Sequence, residues 1–493
     1  MSASDARRRK ERVTKQLAWF HRWLGIVTCL VFALWFASGA VLLFKPFPSL
    51  PRGDQLTLER PVAVGVVAVS PAQAMAVAGG GDTLRLVQRG AVPAYIVGTA
   101  KGAVPVDARS GVRLPPIDQA TAAAIAARLG AASAVAGPAF DYDQWIVHNR
   151  FDPLRPFFRL DLHDAAGTQL YLSARTGELA QRTTRRDRGW NWVGAVLHWA
   201  YFTPIRSSFT LWDRTVWFLS LVALLVAVAG TILGVIRTLA AQRQRRPALT
   251  FYRLRWMRWH HLLGLFASGF VLTWILSGWL SMDHGRLFSR GHAPDAALAR
   301  YARQSLPAAV MPIRPETFTR YGTARELSFT AVGGSAIVTA WQPGGTVVRA
   351  FADGAPLDAG RVAALAGRGI AAAWPGAPVP PSRAVPATDT YALAEGWPAT
   401  ALLFAGVPGV RPDIVVNGTD GQILTVLDRS RKAYAWIYYA LHTFNFPGLT
   451  AHPLLRRIIV FIPLMFGFAF SITGVVIGCQ RLRKTLFPQR RVK

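Results

Sequence analysis

The chain of 493 residues is 52% hydrophobic and only 17% charged, with a mean hydropathy of +0.25. Soluble proteins carry about 25% charged residues, so this composition disfavours both a disordered chain and an ordinary cytosolic enzyme. The formal net charge of +30 indicates either nucleic-acid binding or a membrane protein with its basic residues on one side. Cys29 and Cys479 both lie in apolar stretches, which excludes a disulfide framework and a cysteine-based zinc site.

Four apolar stretches are long enough to cross a bilayer, which takes about 20 residues. The first follows a run of basic residues, as in a signal peptide, but its length and the weak cleavage sequence at 37–40 predict an uncleaved anchor. In chain order the sequence predicts a basic tail (1–16), a span (17–44), a loop (45–210), a span (211–237), a basic loop (238–258), a span (259–282), a loop (283–453), a span (454–479) and a basic tail (480–493).

The basic residues predict the orientation of the chain. Arginine and lysine are concentrated in 1–16, 238–258 and 480–493, and such segments remain on the cytoplasmic side. Both termini are therefore expected in the cytoplasm and the two large loops outside. Membrane lipid is an expected partner, and no nucleic acid is expected.

Both large loops have the pattern of α+β domains. Residues 168–173 alternate as a strand does, residues 120–129 form an alanine-rich helical stretch, and the Pro/Gly-rich residues 375–381 indicate a turn.

Two sets of matching residues indicate an internal repeat. At an offset of 239 residues, His21-Arg22-Trp23-Leu24-Gly25 aligns with His260-His261-Leu262-Leu263-Gly264, and Trp35, Ser38 and Gly39 align with Trp274, Ser277 and Gly278. At an offset of 244, His198 aligns with His442, and Gly230 and Gly234 align with Gly474 and Gly478. The sequence therefore predicts a tandem duplication of one unit: a span, an outer domain, an amphipathic segment and a second span.

Histidine is the polar residue that recurs in each arm of this repeat. His21 and His260 begin spans near the cytoplasmic face, whereas His198 and His442 precede spans near the outer face. Ionisable residues at such positions indicate function, although a single histidine there can equally be an interfacial hydrogen-bonded side chain. The four histidines are expected to form two pairs, one at each surface.

These motifs, together with the loop end Tyr171-Leu172-Ser173-Ala174-Arg175-Thr176-Gly177-Glu178-Leu179 and the following Leu197-His198-Trp199, resemble the PepSY-associated transmembrane-helix family. That family includes iron-regulated inner-membrane proteins and haem-containing siderophore reductases. The resemblance covers nearly the whole chain in two copies. It implies four transmembrane helices, two α+β PepSY-like periplasmic domains, a bacterial inner-membrane location and b-type haem between the spans.

A bis-histidine haem needs two imidazoles from different helices. The predicted axial ligands are His21 with His260 and His198 with His442, while His261 is the alternative to His260. The first span covers about 35 Å between its ends, so one haem cannot reach both pairs and two are expected. Both are non-covalent because the sequence has no Cys-x-x-Cys-His. Gly25 and Gly264 would allow either close approach of the haem or close helix packing.

The leading hypothesis is a transmembrane haem-b reductase that passes electrons to a periplasmic ferric siderophore or other iron chelate. No nucleotide-binding fingerprint is found, so a cytoplasmic reductase or quinol is the expected electron donor. No catalytic acid–base residues are predicted. The alternatives are a non-enzymatic PepSY module that binds a peptide or protease, and an iron or siderophore permease.

The remaining histidines have no aligned counterpart in the repeat. His284 could line an outer substrate site, and the others are interpreted as solvated loop residues: His148, His163, His292 and His452.

Overall fold

The computed structural model describes residues 3–129, 137–246, 250–288 and 291–487. Its helices are α1 (Ala3–Leu42), α2 (Arg52–Leu58), α3 (Pro71–Ala78), α4 (Gln119–Arg128), α5 (Arg185–Asn191), α6 (Thr203–Arg206), α7 (Phe209–Arg243), α8 (Arg255–Ser281), α9 (Asp295–Ala302), α10 (Leu306–Ala309), α11 (Ala359–Ala373), α12 (Thr390–Glu395), α13 (Arg429–Ala435) and α14 (Pro453–Leu486). Its strands are β1 (Thr83–Arg89), β2 (Val92–Thr99), β3 (Gly102–Asp107), β4 (Phe157–Asp161), β5 (Gln169–Ser173), β6 (Leu179–Thr183), β7 (Glu326–Val332), β8 (Ser335–Trp341), β9 (Val347–Phe351), β10 (Arg383–Ala384), β11 (Ala401–Phe404), β12 (Asp413–Asn417) and β13 (Ile423–Leu427).

The chain divides into two compact units. The helical unit comprises Met1–Phe47, Gly189–Leu287 and Tyr434–Lys493, and the sheet unit comprises Pro48–Arg188 and Phe288–Ala433.

The helical unit is built on four long helices that are apolar enough to cross a membrane. Helices α1 and α8 each pack against both α7 and α14, and their buried core includes Phe32, Phe36 and Trp274. Large apolar side chains also point away from this core: Val27, Phe218 and Phe266 are each more than 60% exposed. Such a surface is stable in lipid rather than in water. The predicted membrane protein with four spanning helices is confirmed.

The spanning helices are longer than the apolar stretches that predict them. Residues 1–16 were expected to be a tail, but α1 already begins at Ala3, and α7 and α14 continue to Arg243 and Leu486. Hydropathy marks only the part of a helix that lies in lipid. Arginine, lysine, glutamine and glutamate are good helix formers, so the helices continue past the apolar stretch.

The sheet unit has the expected mixed composition, with β5 and α4 at the predicted strand and helix. Its architecture differs from the expectation of two separate domains at 45–210 and 283–453. A six-stranded antiparallel sheet has the order β3-β2-β1-β7-β8-β9, so strands from both loops share one sheet. Strand β1 pairs with β7, with Leu84 opposite Phe329 and Leu86 opposite Leu327. In addition, residues 189–210 and 434–453 belong to the helical unit rather than to the loops.

Two smaller antiparallel sheets complete the sheet unit, with the orders β4-β5-β6 and β10-β11-β12-β13. Helix α4 packs on the first of these through Ala122, Ile125 and Ala126. Helix α11 buries Val362, Leu365 and Ile370 in a core that includes residues of β12 and β13.

Candidate functional site

His21 of α1 and His260 of α8 face each other in the helical unit, and we call them the inner pair. Their ring centres are 6.4 Å apart, with an interplanar angle of 38°. Nδ1 of His21 lies 3.1 Å from the carbonyl oxygen of Val226, and Nδ1 of His260 lies 2.9 Å from Oγ1 of Thr473. Each ring of the inner pair is therefore anchored by a different helix, His21 by α7 and His260 by α14.

His198 and His442 form a second pair, the outer pair, with the same ring-centre separation of 6.4 Å and an interplanar angle of 58°. Nδ1 of His198 lies 3.0 Å from Oγ of Ser38, and Nδ1 of His442 lies 3.1 Å from Oγ of Ser277. Both histidines lie outside the four spanning helices. Burial, together with the neighbouring His442, lowers the pKa of His198 to about 4, and burial lowers the pKa of His442 to about 4. Both imidazoles are therefore neutral at physiological pH.

Short π-helical segments present the outer pair. Residues Trp192–Val196 and Trp436–His442 each form such a segment. The wider winding of a π-helix changes the direction of side chains and is common at functional sites. His442 ends the second segment, and His198 follows the first by two residues.

The pattern of hydrogen bonds assigns the same tautomer to all four rings. A carbonyl oxygen only accepts, so Nδ1 of His21 carries the proton. The hydroxyls of Thr473, Ser38 and Ser277 each donate to a backbone carbonyl of their own helix, so each accepts its second hydrogen bond from the histidine. Every Nδ1 is therefore protonated, and every Nε2 has a free lone pair; no described residue forms a hydrogen bond with it. This is the arrangement in which an outer hydrogen bond orients a metal-binding imidazole.

Each of the four rings also packs against a glycine of another segment. A Cβ placed on Gly230 would lie 2.6 Å from Cε1 of His21, and one on Gly278 would lie 3.1 Å from Cε1 of His442. The corresponding distances are 3.5 Å from Gly474 to His260 and 3.4 Å from Gly39 to His198. A methyl group would therefore crowd the ring at Gly230 and Gly278, whereas it would make an ordinary contact at Gly474 and Gly39.

A cavity of about 640 Å³ contains the inner pair, a volume in the range of cofactor pockets. Gly25 lines this cavity, and a Cβ at that position would have nothing within 4 Å. Gly264 also lines it, but a Cβ there would lie 2.7 Å from Phe470, whose ring stacks on His260 at 4.8 Å. Gly25 therefore borders open space, whereas Gly264 allows close helix packing.

His261 lines the same cavity but has the opposite tautomer. Its Nε2 donates to the carbonyl of Gly234 at 3.1 Å, and its Nδ1 accepts from Oγ1 of Thr250 at 2.8 Å. Both nitrogens are occupied, so His261 does not have the free lone pair that His260 has.

The other histidines lie apart from both pairs. Nδ1 of His284 donates a hydrogen bond to Oδ2 of Asp213 at 2.7 Å, and the His284 ring contacts that of Trp217. His148 caps the short 3-10 helix Asn149–Leu154, and His452 precedes α14 without a capping hydrogen bond from its side chain. His163 has a positive φ in a loop, and His292 is exposed in a loop before α9. Within the described ranges, no three His, Cys, Asp or Glu side chains converge as a metal site made of protein alone would require.

The sequence pattern of the PepSY-associated TM region matches residues 18–481. The chain belongs to this family. No curated protein matches the chain.

The histidine pairs of this PepSY-associated transmembrane protein fit haem iron. A metal–imidazole bond is about 2 Å long, so one metal ion would fit between two imidazoles whose ring centres are about 6 Å apart. Both pairs have this separation. A tetrapyrrole supplies four ligands itself and therefore needs only two from the protein, which matches pairs rather than larger clusters. The residues that would hold the groups are His21 with His260 and His198 with His442.

Several functional candidates were missed at the level of sequence. The repeat aligns Ser38 with Ser277, Gly39 with Gly278 and Gly230 with Gly474, but gives no reason to connect them with the histidines. The structure gives that reason, because each of these six residues contacts one of the four rings. Thr473 does not stand out in the repeat, because the residue aligned with it is Ala229. His21 accordingly bonds to a backbone carbonyl rather than to a hydroxyl.

Proposed function

We propose that the protein is a membrane haem-b oxidoreductase with two non-covalent haems. It passes electrons across the bilayer to an acceptor on the side of the outer pair, a ferric siderophore or another iron chelate. The tautomers of the four histidines carry this proposal, because a structural histidine does not require an Nε2 that is free of hydrogen bonds, whereas a ligand of haem iron does.

The spacing of the two pairs supports transfer across the membrane. Ser38 follows His21 by 17 residues, and Ser277 follows His260 by the same number. At about 1.5 Å per residue, each helix rises roughly 25 Å between the inner ring that it carries and the hydroxyl that anchors an outer ring. The apolar layer of a bilayer is about 30 Å thick, so the two pairs would lie near its opposite surfaces, and carriers held there would together span most of that layer.

The protein residues would act by holding and orienting. The four Nε2 atoms would hold the iron of the two groups, the hydroxyls and the Val226 carbonyl would orient the rings, and the glycines would leave room for them. The bound haem iron would supply a one-electron couple between Fe(III) and Fe(II). Such transfer requires no acid or base at the acceptor.

The basic residues support an orientation in which the inner pair faces the cytoplasm of a bacterium. Arg237, Arg243, Arg481 and Arg483 all follow the apolar parts of α7 and α14, and positive residues are retained on the cytoplasmic side. The sheet unit would then be periplasmic, and a cytoplasmic reductase or membrane quinol would donate the electrons. The matching contacts of the two pairs also support an origin by tandem duplication.

An absorption spectrum of the detergent-purified protein, before and after dithionite, tests the cofactor. We expect the Soret and α bands of bis-histidine haem b, and a pyridine haemochrome assay giving two haems per chain. About one haem would refute the two-site arrangement. No haem at all would instead favour a PepSY module without redox activity.

Proteoliposomes test the direction of transfer. With reductant inside and a ferric chelate outside, the unmodified protein is expected to reduce the chelate. The His442→Ala protein should lose this reduction while its inner haem still accepts electrons. Full reduction by that variant would contradict the assignment of the outer pair.

A further inference from the structure

Two arginines at matching positions of the repeat line the cavity of the inner pair. They are Arg237 of α7 and Arg481 of α14, and they differ by 244 residues, as Gly230 and Gly474 do. Within the part of the chain that the structure describes, neither guanidinium forms a hydrogen bond or an ion pair. Arg237 is partly exposed and Arg481 is exposed, so both guanidinium groups lie at the mouth of the cavity and are free to bind an anion.

The position of each arginine relates it to a histidine. Arg237 lies seven residues after Gly230, which packs on His21, and Arg481 lies seven residues after Gly474, which packs on His260. Seven residues make about two helical turns, so each arginine is on the same face as its glycine and about 10 Å further along the axis. Both guanidinium groups are therefore on the cavity side of their helices, beyond the rings.

The other end of the cavity is apolar. Phe32 and Val271 line it, and they lie eleven residues after His21 and His260, towards the middle of the bundle. The cavity thus has a cationic end and an apolar end, with the two imidazoles between them. A ligand that matches it has anionic groups at one edge and hydrocarbon at the other.

We propose that Arg237 and Arg481 bind the two propionate carboxylates of the haem that the inner pair holds. This assignment rests on the proposed function. Arginine is suited to the role because its planar fork donates two parallel hydrogen bonds to a carboxylate. The propionate edge then faces the basic ends of the helices, and the apolar edge of the macrocycle faces Phe32 and Val271.

The test compares haem with its dimethyl ester, which has the same ring and iron but no carboxylate charge. Full-length protein from cells that cannot make haem is loaded with either compound in a His442→Ala background, so that only the inner site is measured. We expect the ester to bind about ten-fold more weakly, or worse, for each carboxylate that loses its charge-assisted hydrogen bonds. Arg237→Gln and Arg481→Gln should each weaken binding of haem but not of the ester. The double variant keeps Arg22 at the cavity and should lose most of the preference for haem.

Two further variants separate charge from structure. Arg243→Gln removes a cation from the end of α7 that does not line the cavity, and it should leave the preference for haem unchanged. Arg237→Lys keeps the charge but loses the fork, and it should retain part of that preference.

Two failures can be told apart. If the protein that retains both arginines binds haem and ester equally, with bis-histidine spectra for both, the assignment of the propionates is wrong. The proposed function then stands. If neither compound gives a bis-histidine spectrum, the proposed function fails and this assignment fails with it.

Discussion

Replacing Gly230 with alanine tests whether the inner pair depends on the absence of a side chain. The new Cβ would lie 2.6 Å from Cε1 of His21 and 3.1 Å from its Nδ1, so the ring would have to retreat by about 0.8 Å to reach an ordinary contact of 3.4 Å. Metal–imidazole bonds tolerate errors of only about 0.2 Å, and the retreat would also disturb the hydrogen bond to Val226. We expect Gly230→Ala to bind one haem instead of two.

The repeat supplies a matched control for this substitution. A Cβ on Gly474 would lie 3.5 Å from Cε1 of His260, and one on Gly234 would have Leu265 as its nearest neighbour at 3.9 Å. Both alanine variants should therefore keep two haems. Alanine is favoured over glycine in a helix interior by about 0.5–1 kcal/mol, so loss of haem would not reflect a weakened α7.

The assay is a pyridine haemochrome determination on purified protein, with the spectrum of the reduced form. If Gly230→Ala keeps two haems and an unchanged spectrum, then His21 is not a ligand of the inner haem. Loss of haem in Gly474→Ala to the same extent would show that general packing, rather than the 2.6 Å contact, is responsible.

Three further outcomes are expected. His260→Ala should lose one haem while His261→Gln keeps both, because both nitrogens of His261 are already hydrogen-bonded; the reverse result by haem quantification would exchange their roles. Ser277→Ala should weaken binding at the outer pair about 10- to 100-fold, as loss of an outer hydrogen bond does, and an unaltered haem-loss rate would contradict this. Burial raises the pKa of Glu59 from 4.5 to about 7, so the folded sheet unit holds this proton more tightly than the unfolded chain does. Its stability should fall as pH rises from about 4.5 to 7, and thermal melts should show a smaller fall in Glu59→Gln; an identical pH profile would exclude the effect.

The four spanning helices and the partners within each histidine pair could be predicted because both leave signals in the sequence. An apolar run long enough for a bilayer is rare outside spanning helices, and His21, His198, His260 and His442 stand out as repeated polar residues. The choice between His260 and His261 could not be made, because it depends on hydrogen bonds with Gly234 and Thr250 in the preceding helix and loop.

The shared sheet could not be predicted for a different reason. The pattern of β1 predicts a strand with a buried face. It does not identify the strand that pairs with β1, which lies some 240 positions away. Sequence order favours pairing with the next strand, and β1 does pair with β2 on its other edge. The contacts of the glycines with the histidine rings could not be predicted either. Nothing in the sequence distinguishes Gly230, which packs on a histidine, from Gly264, which packs on Phe470.

The pairing of β1 with β7 has the form of an isologous interface contained in one polypeptide. Because Leu84 faces Phe329 and Leu86 faces Leu327, the first strand of each loop covers an edge that would otherwise be open to aggregation. A half-chain ending between α7 and α8 would expose that edge and would pair either with the other half or with a copy of itself. Because both strands belong to one chain, each is always present with its partner at a ratio of one to one.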